Sequence, residues 1–204
     1  MGGQIPVEVQ AMLRQASSVT ASHPFTCSVF GSPWDTFVET WCPRIHTFLG
    51  QALGPYGTEP LPDILALEDG MHSAGATASF NLYSGQIRIC TSVENKPGQT
   101  LEKLTHEMVH GSLAKFPEGD EFYEEGFVDY STWVLAHAPV WGDLRDDMIK
   151  AAAFNIQVRR DRAMLDQSDY DRKRWAGGLF ASLSRGPHII ATLRQRKMEG
   201  NLYW

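Results

Sequence analysis

Leu101-Glu-Lys-Leu-Thr-His106-Glu107-Met-Val-His110, followed by Phe122-Tyr-Glu-Glu125-Gly-Phe-Val-Asp129-Tyr130, is the stretch on which the reading of this chain turns. Two histidines four apart on a helix lie about 40° apart around its axis and one turn along it. Both imidazoles can therefore reach one ion, while Glu107 projects from the neighbouring position, close enough to touch a water on that ion. Leu101, Leu104 and Met108 fall on the opposite side. The spacing predicts a helix with an apolar back for the core and a histidine front for a cleft.

A catalytic zinc site takes three protein ligands and keeps a fourth position open. Glu125 can be the third, because Pro117-Glu-Gly119 forces a turn that lets a second helix fold back on the first. Gly126 beside it allows close helix approach. Asp129, one turn on, is placed to accept the free ring N–H of a ligand histidine. Glu124 is the alternative ligand, but Val128 stands where Glu125 has Asp129.

Working outward, residues 5–18 read as a helix with Val7, Met12 and Leu13 on one side. Ser32-Pro33 reads as an N-cap and first helical position. After it Trp34, Phe37, Val38, Trp41, Ile45, Phe48 and Leu49 recur at helical spacing, with Pro43 expected to kink or break the run. That aromatic stripe is core rather than a ligand box. Ile64–Glu68 is a short strand. Ala76–Tyr83 and Gln86–Thr91 flank Ser84-Gly85 as a β-hairpin. Thr100 is expected to cap the motif helix, which runs to about Lys115, and the next helix runs from near Asp120 to before Pro139. Segments near 142–164, 169–184 and 187–198 complete a helical second half. The expected architecture is therefore α+β, one domain over 1–204, with an α/β lobe to about 115 and a helical lobe from about 116.

The net charge of −6 argues against a nucleic-acid partner, which needs a basic footprint. The runs Arg159-Arg160-Asp161-Arg162 and Arg172-Lys173-Arg174 read as solvated helix faces, and Arg88 as an outward strand residue. No run of eighteen apolar residues suggests a membrane span. The opening MGGQIPVEVQ lacks a basic-then-apolar leader, and Cys27, Cys42 and Cys90 are sparse, so a cytoplasmic location is expected. A Cys27–Cys42 disulfide, with Met-Gly-Gly as a cloning remnant, is the exported alternative. His23, His46, His72 and His137 have no partner at ligand spacing.

With these residues in place, the chain resembles the gluzincin group of zinc metallopeptidases over about residues 76–130, with a weaker echo after 170. The resemblance implies a zincin-like fold: a small mixed sheet and an active-site helix, followed by an all-helical half. It implies Zn2+ held by His106, His110 and Glu125, Glu107 as general base, and Asp129 orienting a histidine. It also implies a peptide or protein substrate whose backbone pairs with the 76–91 hairpin. Two departures stand out. The Gly-x-Met-Glu-Asn motif of the aminopeptidase branch is missing, Gly75–Ser79 being no match. Trp175-Ala-Gly-Gly178 stands where a Tyr-x-x-Gly would supply the oxyanion donor. Tyr170, His188 and Trp175 stay open for that role. A zinc-bearing binding or regulatory module without hydrolysis is the alternative function.

Overall fold

The computed structural model describes residues 4–19, 35–54, 64–67, 78–81, 86–90, 96–113, 121–165 and 168–199. Ser32-Pro33, Trp34, Ser84-Gly85, Pro117–Gly119, Cys27, His23 and His72 lie outside them.

Helix α1 spans Val7–Ser17 and α2 spans Asp35–Leu53. Strands β1 (Ile64–Leu67), β2 (Ala78–Phe80) and β3 (Ile87–Cys90) follow. Then come α3 (Pro97–Leu113), α4 (Glu121–Leu135), a 3-10 turn (Pro139–Leu144), α5 (Arg145–Met164), α6 (Asp169–Ser184), a short 3-10 turn (Gly186–His188) and α7 (Ile189–Met198). The three strands form one sheet in the order β1-β3-β2, with β1 parallel and β2 antiparallel to β3. Ala78 faces Ile89 and Phe80 faces Ile87, so the hairpin register follows the alternation seen in the sequence.

The expected α+β zincin-like fold is corrected by this structure, which is mostly helical. Its strands are four, three and four residues long, too little to make a sheet-based core. The physical reason is where the apolar side chains recur with helical period. Val38, Cys42, Ile45, Phe48 and Leu49 of α2, and Leu101, Leu104, Met108 and Val109 of α3, are all buried, whereas the extended runs contribute only Ile87 and Ile89 to the described core. One hydrophobic cluster extends from Ile5 through these helices to Leu193.

Local expectations fare unevenly. Helix α2 runs through Pro43 without ending, since the buried residues on both sides offset the one lost backbone bond. It stops at Gly54, whose φ of 88° is the left-handed conformation common just past a helix C-terminus. Thr100 is not the cap of α3: the helix starts at Pro97, and the Thr100 hydroxyl donates back to the Lys96 carbonyl. In α1 the core face is Val9, Leu13 and Ala16, while Val7 is exposed. Of the described aromatic stripe, Phe48 is core, edge-on to Trp141 at 5.1 Å, and Phe37 and Trp41 pack against the core partly buried. At the far end of the chain, the Lys197 ammonium donates to both the carbonyl and the hydroxyl of Ser112, capping α3. Among the described residues no helix is long and apolar enough to cross a membrane.

The tightest helix contact is α4 against α6. A Cβ built on Gly126 would sit 1.7 Å from the Arg174 carbonyl oxygen and 2.6 Å from the Gly178 nitrogen. Gly126 does permit close approach, but of α6 rather than of the motif helix. Gly126→Ala is therefore expected to lower the unfolding free energy by about 3 kcal/mol, since rigid backbone cannot yield as a side chain does. Gly50→Ala, in α2 with nothing within 4 Å, is the control and should be neutral or stabilising. Denaturant unfolding of the two variants measures the difference.

Candidate metal centre

Helix α3 is buried nearly all round, so its histidine front is not an open cleft wall. Helix α4 covers it. His106 is 3% and His110 8% exposed, and Glu107 is buried between them in sequence. The two rings stand edge to face, with centroids 5.0 Å apart.

Each histidine addresses two carboxylates of α4. His106 Nε2 lies 3.5 Å from Glu125 Oε2, and His110 Nε2 lies 3.3 Å from Glu125 Oε1. A tetrahedral ion with bonds of about 2.0–2.1 Å has ligand-to-ligand edges of about 3.3–3.4 Å. The His110 Nε2–Oε1 separation falls on that edge, and His106 Nε2 faces the other oxygen of the same carboxylate at 3.5 Å. His110 Nε2 is buried, with Glu125 Oε1 at 3.3 Å, an arrangement that suits a donor to a cation. His106, His110 and Glu125 thus form a group that could hold a metal ion.

The other ring nitrogens meet different acids. His106 Nδ1 lies 3.4 Å from Asp129 Oδ1, and His110 Nδ1 is 3.0 Å from Glu124 Oε1. Asp129 lies beside His106 Nδ1 without a hydrogen bond to it. Glu124 is a partner of His110 rather than the third member of the metal group. Carboxylates at the outer nitrogens fix ring orientation and raise the basicity of the inner ones.

Arg174 is the residue that the sequence reading missed. It was grouped with Arg172 and Lys173 as a solvated face, yet it is buried and forked onto Asp129, with Nε 2.6 Å from Oδ2 and Nη2 2.7 Å from Oδ1. Its Nη1 lies 2.7 Å from Glu125 Oε2 and also donates to the Tyr170 hydroxyl. A signal was present: Arg174 shares a stripe of α6 with Asp171, Gly177, Gly178 and Ala181, all buried. Small residues on a stripe mark a close helix neighbour, and an arginine on such a stripe must meet an acid.

The three candidates for the oxyanion donor separate. Tyr170 lies one turn before Arg174, its ring 5.6 Å from that guanidinium and 5.8 Å from that of Arg159. Trp175 is half-buried towards Ala153 and Ile156 of α5. His188 is exposed in the turn before α7, where its carbonyl accepts from Thr192.

Burial and charge set the protonation of the metal-free group. Burial pushes the Glu107 carboxyl up, against the opposing pull of His106 and His110. Burial alone would lower His110, but its bonds to Glu124 and Glu125 win and raise it to about 10. For Glu125 burial works upward, and the two histidines with Arg174 hold it well below the usual carboxylate range. Asp129 is likewise lowered, because the Arg174 charge and hydrogen bonds outweigh burial. Burial and the Glu125 charge raise the Tyr170 phenol, so it keeps its proton.

No protein-family model, no curated protein and no solved structure matches this chain.

A raised His110 has a measurable sign. Below pH 10 the metal-free protein carries a proton on His110 that a metal must displace. Binding of zinc at pH 7.5 is therefore expected to release a proton, and affinity should tighten by up to about tenfold per pH unit towards pH 9. Calorimetry in buffers of different ionisation heat counts the proton, and an uptake or no exchange would contradict the assignment.

Proposed function

We propose that this protein is a zinc-dependent peptidase on a mostly helical scaffold, with His106, His110 and Glu125 as ligands and Glu107 as general base. The observation that carries the reading is the arrangement of both Nε2 atoms against one carboxylate, at 3.5 and 3.3 Å, with a buried acid between the two histidines in the sequence. The HExxH pattern with its downstream Glu-Gly-Phe-x-Asp-Tyr, as in gluzincins, supports it. Two histidines and a carboxylate are the donor set of catalytic zinc rather than of structural zinc, which is usually closed by four cysteines or histidines.

Bound there, zinc supplies a Lewis acid that makes water nucleophilic near neutral pH. Glu107, its pKa raised by burial, accepts the proton from the attacking water and passes it to the leaving amine. Glu124 holds the His110 ring by a hydrogen bond at Nδ1, and Asp129 stands 3.4 Å from His106 Nδ1. The Tyr170 hydroxyl accepts from Arg174 and keeps its own proton, which it can donate to a developing oxyanion. A peptide substrate is supported by β2, which packs on α3 and, among the described residues, pairs only with β3. Its outer edge suits backbone pairing by an extended chain. The acidic chain with few cysteines fits a cytoplasmic enzyme with no nucleic-acid partner.

A second reading is a zinc-bearing binding module with no turnover. The burial of both histidines and the guanidinium on Glu125 favour it. Glu107→Gln separates the two. The peptidase reading expects this variant to hold zinc as the wild type does and to lose at least about 100-fold of its cleavage rate on a peptide library. Equal cleavage by wild type and variant would refute the mechanism, and a wild type that holds zinc yet leaves every peptide intact would favour the module.

A further inference from the structure

Both oxygens of Glu125 face imidazole nitrogens, so an ion placed between the rings would have both within reach. Taken bidentate, Glu125 would occupy a coordination position that catalysis needs for water. The surroundings of the two oxygens are unequal. Oε2 has Arg174 Nη1 at 2.7 Å, whereas Oε1 faces His110 Nε2 at 3.3 Å.

The guanidinium cannot easily follow a shift of Glu125. Its Nε and Nη2 are forked onto Asp129 at 2.6 and 2.7 Å, and its Nη1 is tied to the Tyr170 hydroxyl as well. Its backbone carbonyl sits against Gly126, next to Glu125 in the chain, so α4 and α6 hold one register. A planar fork with several fixed donors can span two carboxylates in this way, and a lysine cannot.

We propose that Arg174 is a positioning residue that reserves Oε2 of Glu125, so that this carboxylate offers a metal one oxygen and leaves the fourth position to water. The inference rests on the reading of His106, His110 and Glu125 as metal ligands. It assigns Arg174 an effect on coordination number, separate from any effect on stability.

The test adds cobalt(II) alone to the metal-free full-length protein and reads its visible spectrum, backed by X-ray absorption for the number of oxygen donors. The wild type is expected to give a four-coordinate, intensely absorbing site. Arg174→Lys and Arg174→Met should each bind cobalt with a further oxygen donor and with visible absorption per cobalt lower by about twofold or more, since geometry sets the bands. Circular dichroism of each variant shows whether it folds, and Arg174→Lys keeps a buried cation should Arg174→Met unfold. A five-coordinate wild type, or unchanged spectra in a folded variant, would overturn the inference while leaving the metal site standing. A wild type that takes up no cobalt would remove the metal site itself, and this inference with it.

Discussion

A buried charge must find its opposite, and in this protein that requirement ties three helices together. Helix α4 carries Glu125 and Asp129 one turn apart on one face, both turned inward. Left alone they would repel in a poorly solvated space. The imidazoles of α3 answer them from one side and Arg174 of α6 from the other. Removing one partner from such a set leaves an uncompensated charge, which costs about 3–5 kcal/mol in comparable buried pairs. The glycine crossing at Gly126 and Gly178 is what brings α6 near enough to take part.

This arrangement gives the metal group its character before any ion arrives. The His110 ring is held at its outer nitrogen by Glu124, Asp129 stands beside that of His106, and Glu125 is held in place by Arg174. Binding energy therefore need not be spent on gathering ligands from mobile positions. A metal held there would displace the proton on His110.

Much of the helical half was legible because its signals are local. The segment expected near 169–184 is α6, and the structure adds its cap, the Ser168 hydroxyl accepting from the Asp171 amide. His106, His110 and Glu125 were legible because helical geometry makes the first two neighbours, and a turn plus an acid-bearing helix suggests the third. The sheet was over-read. Its runs alternate correctly and the hairpin pairs as expected, but periodicity does not say how many residues will be paired. Arg174 was misread for a different reason: its neighbours Arg172 and Lys173 are on the solvent side, and charge was taken as a property of the run. Rotation by 100° per residue separates the three, and only the small residues following Arg174 on its own stripe reveal which one turns inward.

The buried Arg174 guanidinium also sets an order of events. A polypeptide emerges from its amino end, and Arg174 lies 45 residues beyond Asp129. The nascent chain therefore makes its inward-facing acids and imidazoles well before their cationic counterweight exists. Until α6 is synthesised, the pair of helices bearing them lacks this cation, and a divalent ion met during that interval would encounter Glu125 before Arg174 is there to engage Oε2.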